Sequence, residues 1–375
     1  MINYKSINER ITDRLDSWCW QTDRKISQQE VSEIWHDRHA GITDAELMLA
    51  VNKELKSSKL IGIEPRTDES QETLGFVNSV RVGVLVDGTK VIIRCHPKGI
   101  KNGYFYAESL AAKKALELGL PAFKTYAIHE LHDENDFAFQ VIEKIEGTAL
   151  KKWLEKHPED IQKLSYETGK MMAKFHHIEV DGFGSLDNEQ AKEGKLIGLH
   201  KNLASFVRAS LPKNLDSLVH YKTITKQQAE KINTLFAEDN PLLKCSSGVL
   251  IHNDFVDWNL LTDGKKITGI LDFDECAAGD PTFDIASWSS MTPQYRLDSF
   301  LSGYFEGRQK PENFEDKLKL ISFRWVISNM SLRNSRLEYM PGDAHLQQLV
   351  ADGKTQMAFY MNHFGINKEN AQNKC

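Results

Sequence analysis

Two apolar runs separated by a turn signal constrain the fold of this chain more than any other feature. The runs are Val249–Ile251 and Ile267–Leu271, and each has the character of a buried strand. Between them lies Asp263-Gly264, a dipeptide that tolerates the positive φ angles of a tight hairpin turn. Folding the chain at this turn lays Asp272 back beside the loop that follows the first run. The sequence therefore predicts that polar side chains at two strand ends meet.

Oxygen-bearing side chains occupy these predicted strand ends. Asp254 and Asn259 follow the first run, after His252, in the pattern His-x-Asp-x-x-x-x-Asn, and Asp272 follows the second run. Such oxygens suit Mg²⁺, which takes one or two protein ligands and completes its shell with water and phosphate. In phosphoryl transfer an aspartate accepts the proton of the attacking hydroxyl, while an asparagine and another aspartate hold the metal ions. This spacing is the arrangement of protein kinases and their relatives.

A third segment, Gly279-Asp-Pro-Thr-Phe-Asp284-Ile-Ala, distinguishes the chain from ordinary protein kinases, and no Ala-Pro-Glu activation motif is present. Taken together, these motifs resemble the aminoglycoside phosphotransferase and choline kinase-like family. The resemblance consists of separate segments between Gly75 and Ala286, which follow one another in the order that the family has. It implies an α+β, two-lobed, protein-kinase-like fold with a small β-rich N-lobe and a larger, mainly helical C-lobe.

By position, the resemblance implies that Asp254 is the catalytic base and that Asn259 and Asp272 are magnesium ligands. It implies structural support from His252, as a brace of the catalytic loop, and from Asp284, through hydrogen bonds to that loop's backbone. Each residue also has a plainer interpretation. An isolated Asp at a strand end is usually an exposed cap, and a lone His beside a strand is usually part of the core. The spacing of the whole set favours a site.

A second hairpin carries the predicted phosphate contact. The β-rich runs Val80–Val86 and Lys90–Cys95 are joined through Asp87-Gly88. The resemblance implies that Arg94, in the second run, contacts the nucleotide phosphates. The common kinase Lys is absent, but an Arg can clamp phosphate bidentately. An edge-strand Arg on a solvated face is the plainer alternative.

A helix from Tyr104 to Leu118 is predicted next, ended by Gly119. Glu108, in its first turns, matches the family glutamate that pairs with the phosphate-binding cation, here Arg94. Without the resemblance, such a Glu would only complement the helix dipole. The segment from Thr73 to Ser79 lies where a kinase places its phosphate-covering loop, although it holds one glycine. The further residues implied as nucleotide contacts are Asn78, Ser79, Ile142, Glu143 and Ile145, with the last two acting through their backbone groups.

Three segments are predicted along the chain: a helical N-terminal extension (1–60), an N-lobe that binds nucleotide phosphates (61–146), and a C-lobe with the catalytic loop, metal site and acceptor pocket (147–375). Capping boxes at Ser27–Glu30 and Thr43–Glu46 indicate helices in the extension. The extension either packs on the first lobe or mediates self-association, so both a monomer and a homodimer stay open. Adjacent His176 and His177 would face different sides of a helix, which favours core or cap roles over metal binding.

Composition excludes several classes of protein. A formal net charge of −6 disfavours nucleic acid as a partner. No apolar run approaches the ~18 residues that span a bilayer, and the first residues lack a signal-peptide segment. The five scattered cysteines lack a Cys-x-x-Cys pair, which predicts reduced thiols rather than zinc ligands or disulfides. We therefore expect a cytoplasmic protein without nucleic-acid or membrane partners.

The leading hypothesis is an ATP- and Mg²⁺-dependent kinase that transfers the γ-phosphate to a small-molecule hydroxyl, with aminoglycosides and other antibiotics among the candidate acceptors. Asp274 and Glu275 could reach a cationic substrate, but acidic and basic residues are balanced between Asp181 and Lys244. A metabolic kinase acting on choline, ethanolamine, a sugar or a homoserine-like acceptor is the alternative. A metallohydrolase that used His252, Asp254 and Asp272 is a third interpretation. The pattern lacks the further histidines that typically complete such a metal site. A non-catalytic nucleotide-binding module would not need the complete set of transfer residues.

Overall fold

The computed structural model describes residues 18, 41–64, 78–99, 101–133, 135–290 and 294–367. Within these residues, a β-rich first part is followed by a mainly helical second part. The predicted phosphate-loop residues 73–77 and the capping box at 27–30 lie outside the described residues. The two-lobed arrangement that the sequence predicts is confirmed, and the elements below are those that position the site.

An antiparallel sheet forms the first part, with strand order β1-β2-β3-β5-β4. Its strands are β1 (Leu60–Ile63), β2 (Ser79–Leu85), β3 (Lys90–Cys95), β4 (Thr125–His129) and β5 (Phe139–Glu143). The predicted turn joins β2 to β3, with Gly88 at a φ of 83° and Val84 paired with Lys90. Along β2, buried residues alternate with half-buried ones, because successive side chains of a strand point to opposite faces.

Two helices pack on this sheet region: α1 (Asp44–Glu54) and α2 (Phe105–Glu117). The predicted capping box of Thr43 and Glu46 begins α1, which buries Leu47 and Val51 in the same apolar cluster as the sheet residues. The described end of the predicted N-terminal extension therefore packs on the first lobe. Helix α2 is followed by Gly119 at a φ of 69°, as its sequence predicts, and it packs against residues 273–275 of the second part.

Helices dominate the second part. They are α3 (Leu150–Lys156), α4 (Ile161–Phe175), α5 (Asn188–Lys192), α6 (Leu203–Arg208), α7 (Leu211–His220), α8 (Lys226–Leu235), α9 (Thr282–Ser290), α10 (Gln294–Tyr304), α11 (Phe314–Tyr339) and α12 (Ala344–His363). Helices α4 and α10 approach so closely that a Cβ on Gly169 would lie 2.0 Å from the Phe300 carbonyl oxygen. Along the described ranges, no helix combines the length and the apolar character that crossing a membrane requires.

Short strands connect these helices. They are β6 (Thr148–Ala149), β7 (Glu179–Val180), β8 (Phe183–Leu186), β9 (Gly198–His200), β10 (Gly248–Ile251), β11 (Leu260–Thr262), β12 (Ile267–Ile270) and β13 (Ala277–Gly279). The Asp263-Gly264 turn joins β11 to β12, so the run Val249–Ile251 is not an arm of that hairpin. That run forms β10, which pairs with β7 and β13. The predicted consequence still holds, because the Leu271 N–H donates to the Asn259 carbonyl at 2.8 Å.

Trp18 lies in the core of the second part. Its ring packs against Phe206, Phe283 and Trp325 at centroid distances of 5.1, 4.6 and 5.9 Å, and only 1% of the residue is exposed. Its backbone N–H donates to the Ser210 hydroxyl at 3.1 Å. This residue of the predicted extension therefore contacts the C-lobe, whereas α1 contacts the N-lobe sheet.

Candidate active site

The loop after β10 is held by one buried carboxylate. Asp284, in the first turn of α9, accepts hydrogen bonds from the backbone N–H groups of His252 (2.8 Å) and Asn253 (2.7 Å). Asn253 has a φ of 62°, a left-handed conformation that non-glycine residues adopt at a cost and that functional sites often contain. The predicted contact between Asp284 and the loop backbone is therefore present, and it stabilises a strained backbone.

A second contact ties this loop to the strand end that carries Asp272. Nε2 of His252 lies 2.8 Å from the Leu271 carbonyl oxygen, which can only accept, so Nε2 carries the proton. The imidazole is fully buried. With the Leu271–Asn259 backbone bond, this contact brings Asp272 beside the loop. His252 thus joins the two segments that the sequence predicts to meet.

Asp254 and Asn259 are in direct contact across the loop. The Asn259 side-chain Nδ2 donates to Oδ2 of Asp254 at 2.9 Å and to its carbonyl oxygen at 3.0 Å. Burial, and then the negative charge of Asp272, raise the pKa of Asp254 to about 6, against the opposing hydrogen bond from Asn259. Because Nδ2 is committed to Asp254, the amide oxygen of Asn259 is the atom that can coordinate a cation. The oxygens of Asn259 and Asp272 form a hard donor set that suits Mg²⁺.

Arg94 connects the first part of the molecule to this loop. Its guanidinium forms an ion pair with Glu108 of α2 and donates to Oδ1 of Asp272 at 3.2 Å. Burial alone would lower the pKa of Arg94, but the charges of Glu108 and Asp272 raise it overall, so the group is positively charged. The predicted pairing with Glu108 is present. Arg94 is 8% exposed rather than on a solvated face, which contradicts the plainer alternative.

The other predicted nucleotide residues lie near the start of β2 and the end of β5. Asn78 donates through Nδ2 to the Tyr104 hydroxyl at 2.8 Å, and the Ser79 hydroxyl accepts from Arg81 at 2.6 Å. Ile142 is 7% exposed on β5, and Glu143 ends that strand, where its N–H donates to the Lys124 carbonyl. Ile145 is a half-buried residue of the link that follows. Their contacts with a nucleotide stay predictions.

Asp274 and Glu275 lie in a turn that packs against α2, and each is 5% exposed. Burial, together with the charges of Asp272 and Glu275, holds the pKa of Asp274 well above its usual range. A carboxyl group in this environment is poorly placed to reach a solvated cationic substrate. Their substrate contact therefore stays a prediction, and their burial disfavours it.

Two supports of the loop are not predicted by the sequence. Arg296 of α10 donates to Oδ2 of Asp257 at 2.9 Å, and its guanidinium lies 4.7 Å from the Trp288 ring centroid. His176 lies 3.0 Å from Oδ2 of Asp284 through Nε2 and 2.9 Å from the Tyr304 hydroxyl through Nδ1, which confirms its predicted core role. Neither contact can be predicted from the sequence, because Arg296 lies 39 residues from Asp257 and His176 lies 108 residues from Asp284.

Comparison with known proteins agrees with this geometry. Residues 78–318 match the model of the phosphotransferase enzyme family APH, well over half of the chain. No curated protein sequence matches the chain significantly.

Solved structures show the same fold at low identity. A protein from Thermobifida fusca assigned as a fructosamine-3-kinase is 14% identical with a TM-score of 0.58, covering 84% of this chain and 98% of that one. Aminoglycoside phosphotransferase APH(4)-Ia, in a complex with AMP-PNP and hygromycin B, is 17% identical with a TM-score of 0.56, covering 85% and 98%.

The macrolide 2'-phosphotransferase MphH from Brachybacterium faecium is 18% identical, with a TM-score of 0.51 and coverage of 83% and 98%. Each of these alignments covers 98% of the neighbour's chain. The motifs, the loop geometry and the family match agree, and the chain belongs to the phosphotransferase enzyme family.

Proposed function

We propose that the protein is an ATP- and Mg²⁺-dependent kinase that transfers the γ-phosphate to a hydroxyl group of a small molecule. One observation carries this proposal: Arg94 pairs with Glu108 and reaches Asp272 beside the contacting pair Asp254 and Asn259. A cation that can bind phosphate is thereby fixed next to two oxygen ligands and a carboxylate that can accept a proton. Neighbours solved with AMP-PNP or ADP support ATP as the nucleotide.

Each residue has a distinct part in this reaction. Asn259 and Asp272 would hold Mg²⁺, and the bound ion would supply positive charge that neutralises the phosphate oxygens. Arg94 binds phosphate oxygens, and Glu108 fixes the direction of its guanidinium. Asp254 accepts the proton of the acceptor hydroxyl as the oxygen attacks the γ-phosphorus and ADP leaves.

The nucleotide lies in the cleft between an N-lobe (61–146) and a C-lobe (147–375). The carbonyl of Glu143 and the amide of Ile145 contact its adenine, Ile142 forms the pocket wall, and Asn78 and Ser79 approach the phosphates. The acceptor binds on the C-lobe side. The protein acts in the cytoplasm on a small molecule, and its partners are the nucleotide and this acceptor.

Separating proton transfer from nucleotide binding tests these roles. We expect Asp254→Asn to lower phosphate transfer about 10²–10⁴-fold while Mg-AMP-PNP still raises the melting temperature. Asp272→Asn should reduce that rise as well, because it removes a ligand of the nucleotide-bound metal. Asp239→Asn removes an exposed carboxylate and serves as the control. Full transfer activity in Asp254→Asn would refute the assignment of the base.

The acceptor class is tested with a panel drawn from the chemistry of the structural neighbours. Hygromycin B, other aminoglycosides, macrolides and fructosamines are incubated with enzyme, ATP and Mg²⁺, together with choline, ethanolamine, sugars and homoserine. We expect one class to yield a phosphorylated product in a one-to-one ratio with ADP, measured by mass spectrometry. ADP release without phosphorylated product across the panel would contradict transfer to these hydroxyl compounds.

A further inference from the structure

A histidine-containing turn at the end of the β4–β5 hairpin forms a second cluster of ligating side chains. His129 ends β4, and His132 and Asp136 follow in the turn, with the spacing His-x-x-His-x-x-x-Asp. One ligand atom from each of these three residues lies within 4.8 Å of the other two. The two imidazole rings meet edge to face, with centroids 4.9 Å apart. The cluster is distinct from the candidate active site, because none of its members contacts Arg94, Asp254 or Asp272 in the described structure.

The turn backbone places these side chains together. Oδ1 of Asp133 accepts from the N–H groups of Asn135 and Asp136, which closes the turn. Oδ2 of Asp136 accepts from the His132 N–H at 3.0 Å and lies 2.9 Å from Nε2 of His129. Hydrogen bonds between these carboxylates and backbone N–H groups stabilise the turn. The three ligating side chains are therefore close to one another before a metal ion binds.

A carboxylate from another element orients the first histidine. Nδ1 of His129 lies 2.9 Å from Oε1 of Glu54, at the end of α1, and the imidazole stacks on Phe139 at a centroid distance of 5.0 Å. Metal-binding histidines usually donate their other ring N–H to such a carboxylate, which fixes the ring and its tautomer. Nε2 of His129 then faces the cluster as the unprotonated ring nitrogen, which can coordinate a cation.

We propose that His129, His132 and Asp136 bind a Zn²⁺ ion, with Glu54 as the outer partner of His129. Two imidazole nitrogens and one carboxylate oxygen suit Zn²⁺ and disfavour Mg²⁺, which prefers oxygen ligands. Bonds of about 2.0–2.2 Å require the three donors to converge further, and the exposed His132 side chain can turn to do so. Both histidines line a cavity of about 350 Å³ beside the cluster. A zinc ion with three protein ligands takes water or another ligand in its fourth position.

The contacts of His129 also have an explanation without metal. A protonated imidazole between Glu54 and Asp136 would tie α1 to the hairpin by two charged hydrogen bonds. That tie needs no second histidine. His132 therefore distinguishes the two explanations, because it contributes a ligand atom to the cluster and its side chain is exposed, so that its removal leaves the fold intact.

Zinc titration of the full chain tests the site. Excess Mg²⁺ fills the oxygen-ligand site, and a chromophoric chelator competes for Zn²⁺. We expect one tight equivalent in the wild type, at least 100-fold weaker binding in His132→Ala, and about 10–100-fold weaker binding in Glu54→Gln. His157→Ala is the matched control, because His157 also lies beside a carboxylate, Glu159 at 3.3 Å, but belongs to no three-ligand cluster of the described residues.

Co²⁺ substitution supplies an independent readout of the same site. A four-coordinate Co²⁺ ion bound to nitrogen and oxygen should give visible d–d absorption that disappears in His132→Ala and persists in His157→Ala. Absence of a tight zinc equivalent in the wild type would overturn the proposal. Equal zinc affinity in the wild type and His132→Ala would also overturn it. Neither result bears on phosphate transfer, which uses different residues.

Discussion

Two buried ionisable groups, Asp284 and Arg94, support the candidate active site. They differ in whether their hydrogen-bond partners are buried or exposed to solvent. Asp284 is fully buried, and its two oxygens accept from two backbone amides of the loop after β10 and contact His176. Arg94 is also buried, but one of its two carboxylate partners, Asp272, has a side chain that is 45% exposed. The first arrangement is closed to solvent, whereas the second opens toward the proposed nucleotide.

This difference indicates different roles. The contacts of Asp284 hold a strained loop in place whether or not a ligand is bound, because each of its partners belongs to the protein core. The contact between Arg94 and Asp272 is a single hydrogen bond of 3.2 Å. In the proposed nucleotide complex, both groups exchange this bond for phosphate and metal. Substitutions around Asp284 should therefore affect stability, and substitutions at Arg94 should affect nucleotide binding.

Asp284→Ala should have the largest effect on stability. The substitution leaves two buried backbone N–H groups and His176 without their acceptor, and we expect the free energy of unfolding to fall by about 3–5 kcal/mol. Urea denaturation followed by circular dichroism measures the change. Asp239→Ala, at an exposed position, should stay within about 0.5 kcal/mol of the wild type. A loss below about 1 kcal/mol for Asp284→Ala would show that the loop does not depend on this carboxylate.

Arg296→Met should have the next largest effect. It removes the charged hydrogen bond to Asp257, which is 8% exposed, and we expect a loss of about 2 kcal/mol. A double-mutant cycle with Asp257→Asn isolates the pair from the packing of Arg296 on Trp288. Additive losses in that cycle would contradict a direct contribution from this contact.

His252→Phe should cost about 1 kcal/mol. The aromatic ring keeps its volume in the core, but the Leu271 carbonyl loses the Nε2–H donor. Equilibrium denaturation is again the measurement, with the exposed His345→Phe as the control. If the two substitutions have equal effects, the hydrogen bond between His252 and Leu271 does not join the loop to the strand end.

Local sequence signals predict much of this site. Asp87-Gly88 and Asp263-Gly264 mark turns that the structure contains, and Gly119 marks the end of α2, because positive φ angles favour glycine there. The Asp263-Gly264 turn also predicts that Asp272 lies beside the loop that holds Asp254 and Asn259. These signals lie within a few residues of the structures they determine.

Partners that are distant in the sequence could not be predicted in this way. The strand Val249–Ile251 pairs with β7 and β13 rather than within the hairpin, and Arg296 reaches Asp257 from another helix. Trp18 is buried among side chains of the C-lobe. Such contacts depend on how helices and sheets pack, and a pattern of residue types carries no record of which surfaces meet.

Arg94→Lys should have the smallest effect on stability and a larger one on nucleotide binding. A lysine ammonium can stay paired with the buried Glu108, so we expect the free energy of unfolding to fall by less than about 1 kcal/mol. A single ammonium cannot reproduce the planar fork of the guanidinium, so affinity for Mg-AMP-PNP should fall about 10–100-fold.

Fluorescence titration of a labelled nucleotide and denaturation of the same protein preparation measure the two quantities together. Arg208→Lys is the control and should leave nucleotide affinity unchanged. Arg208 lies in α6 of the second part, where its guanidinium donates to the Asn233 side chain. In Asp284→Ala the relative size of the two effects should be reversed. We expect a large loss in the free energy of unfolding and, for the fraction that stays folded, a smaller loss of nucleotide affinity. If Arg94→Lys instead destabilised the protein as much as Asp284→Ala, Arg94 would be a permanent support of the fold. That result would contradict the proposal that Arg94 gives up its contact with Asp272 to bind phosphate.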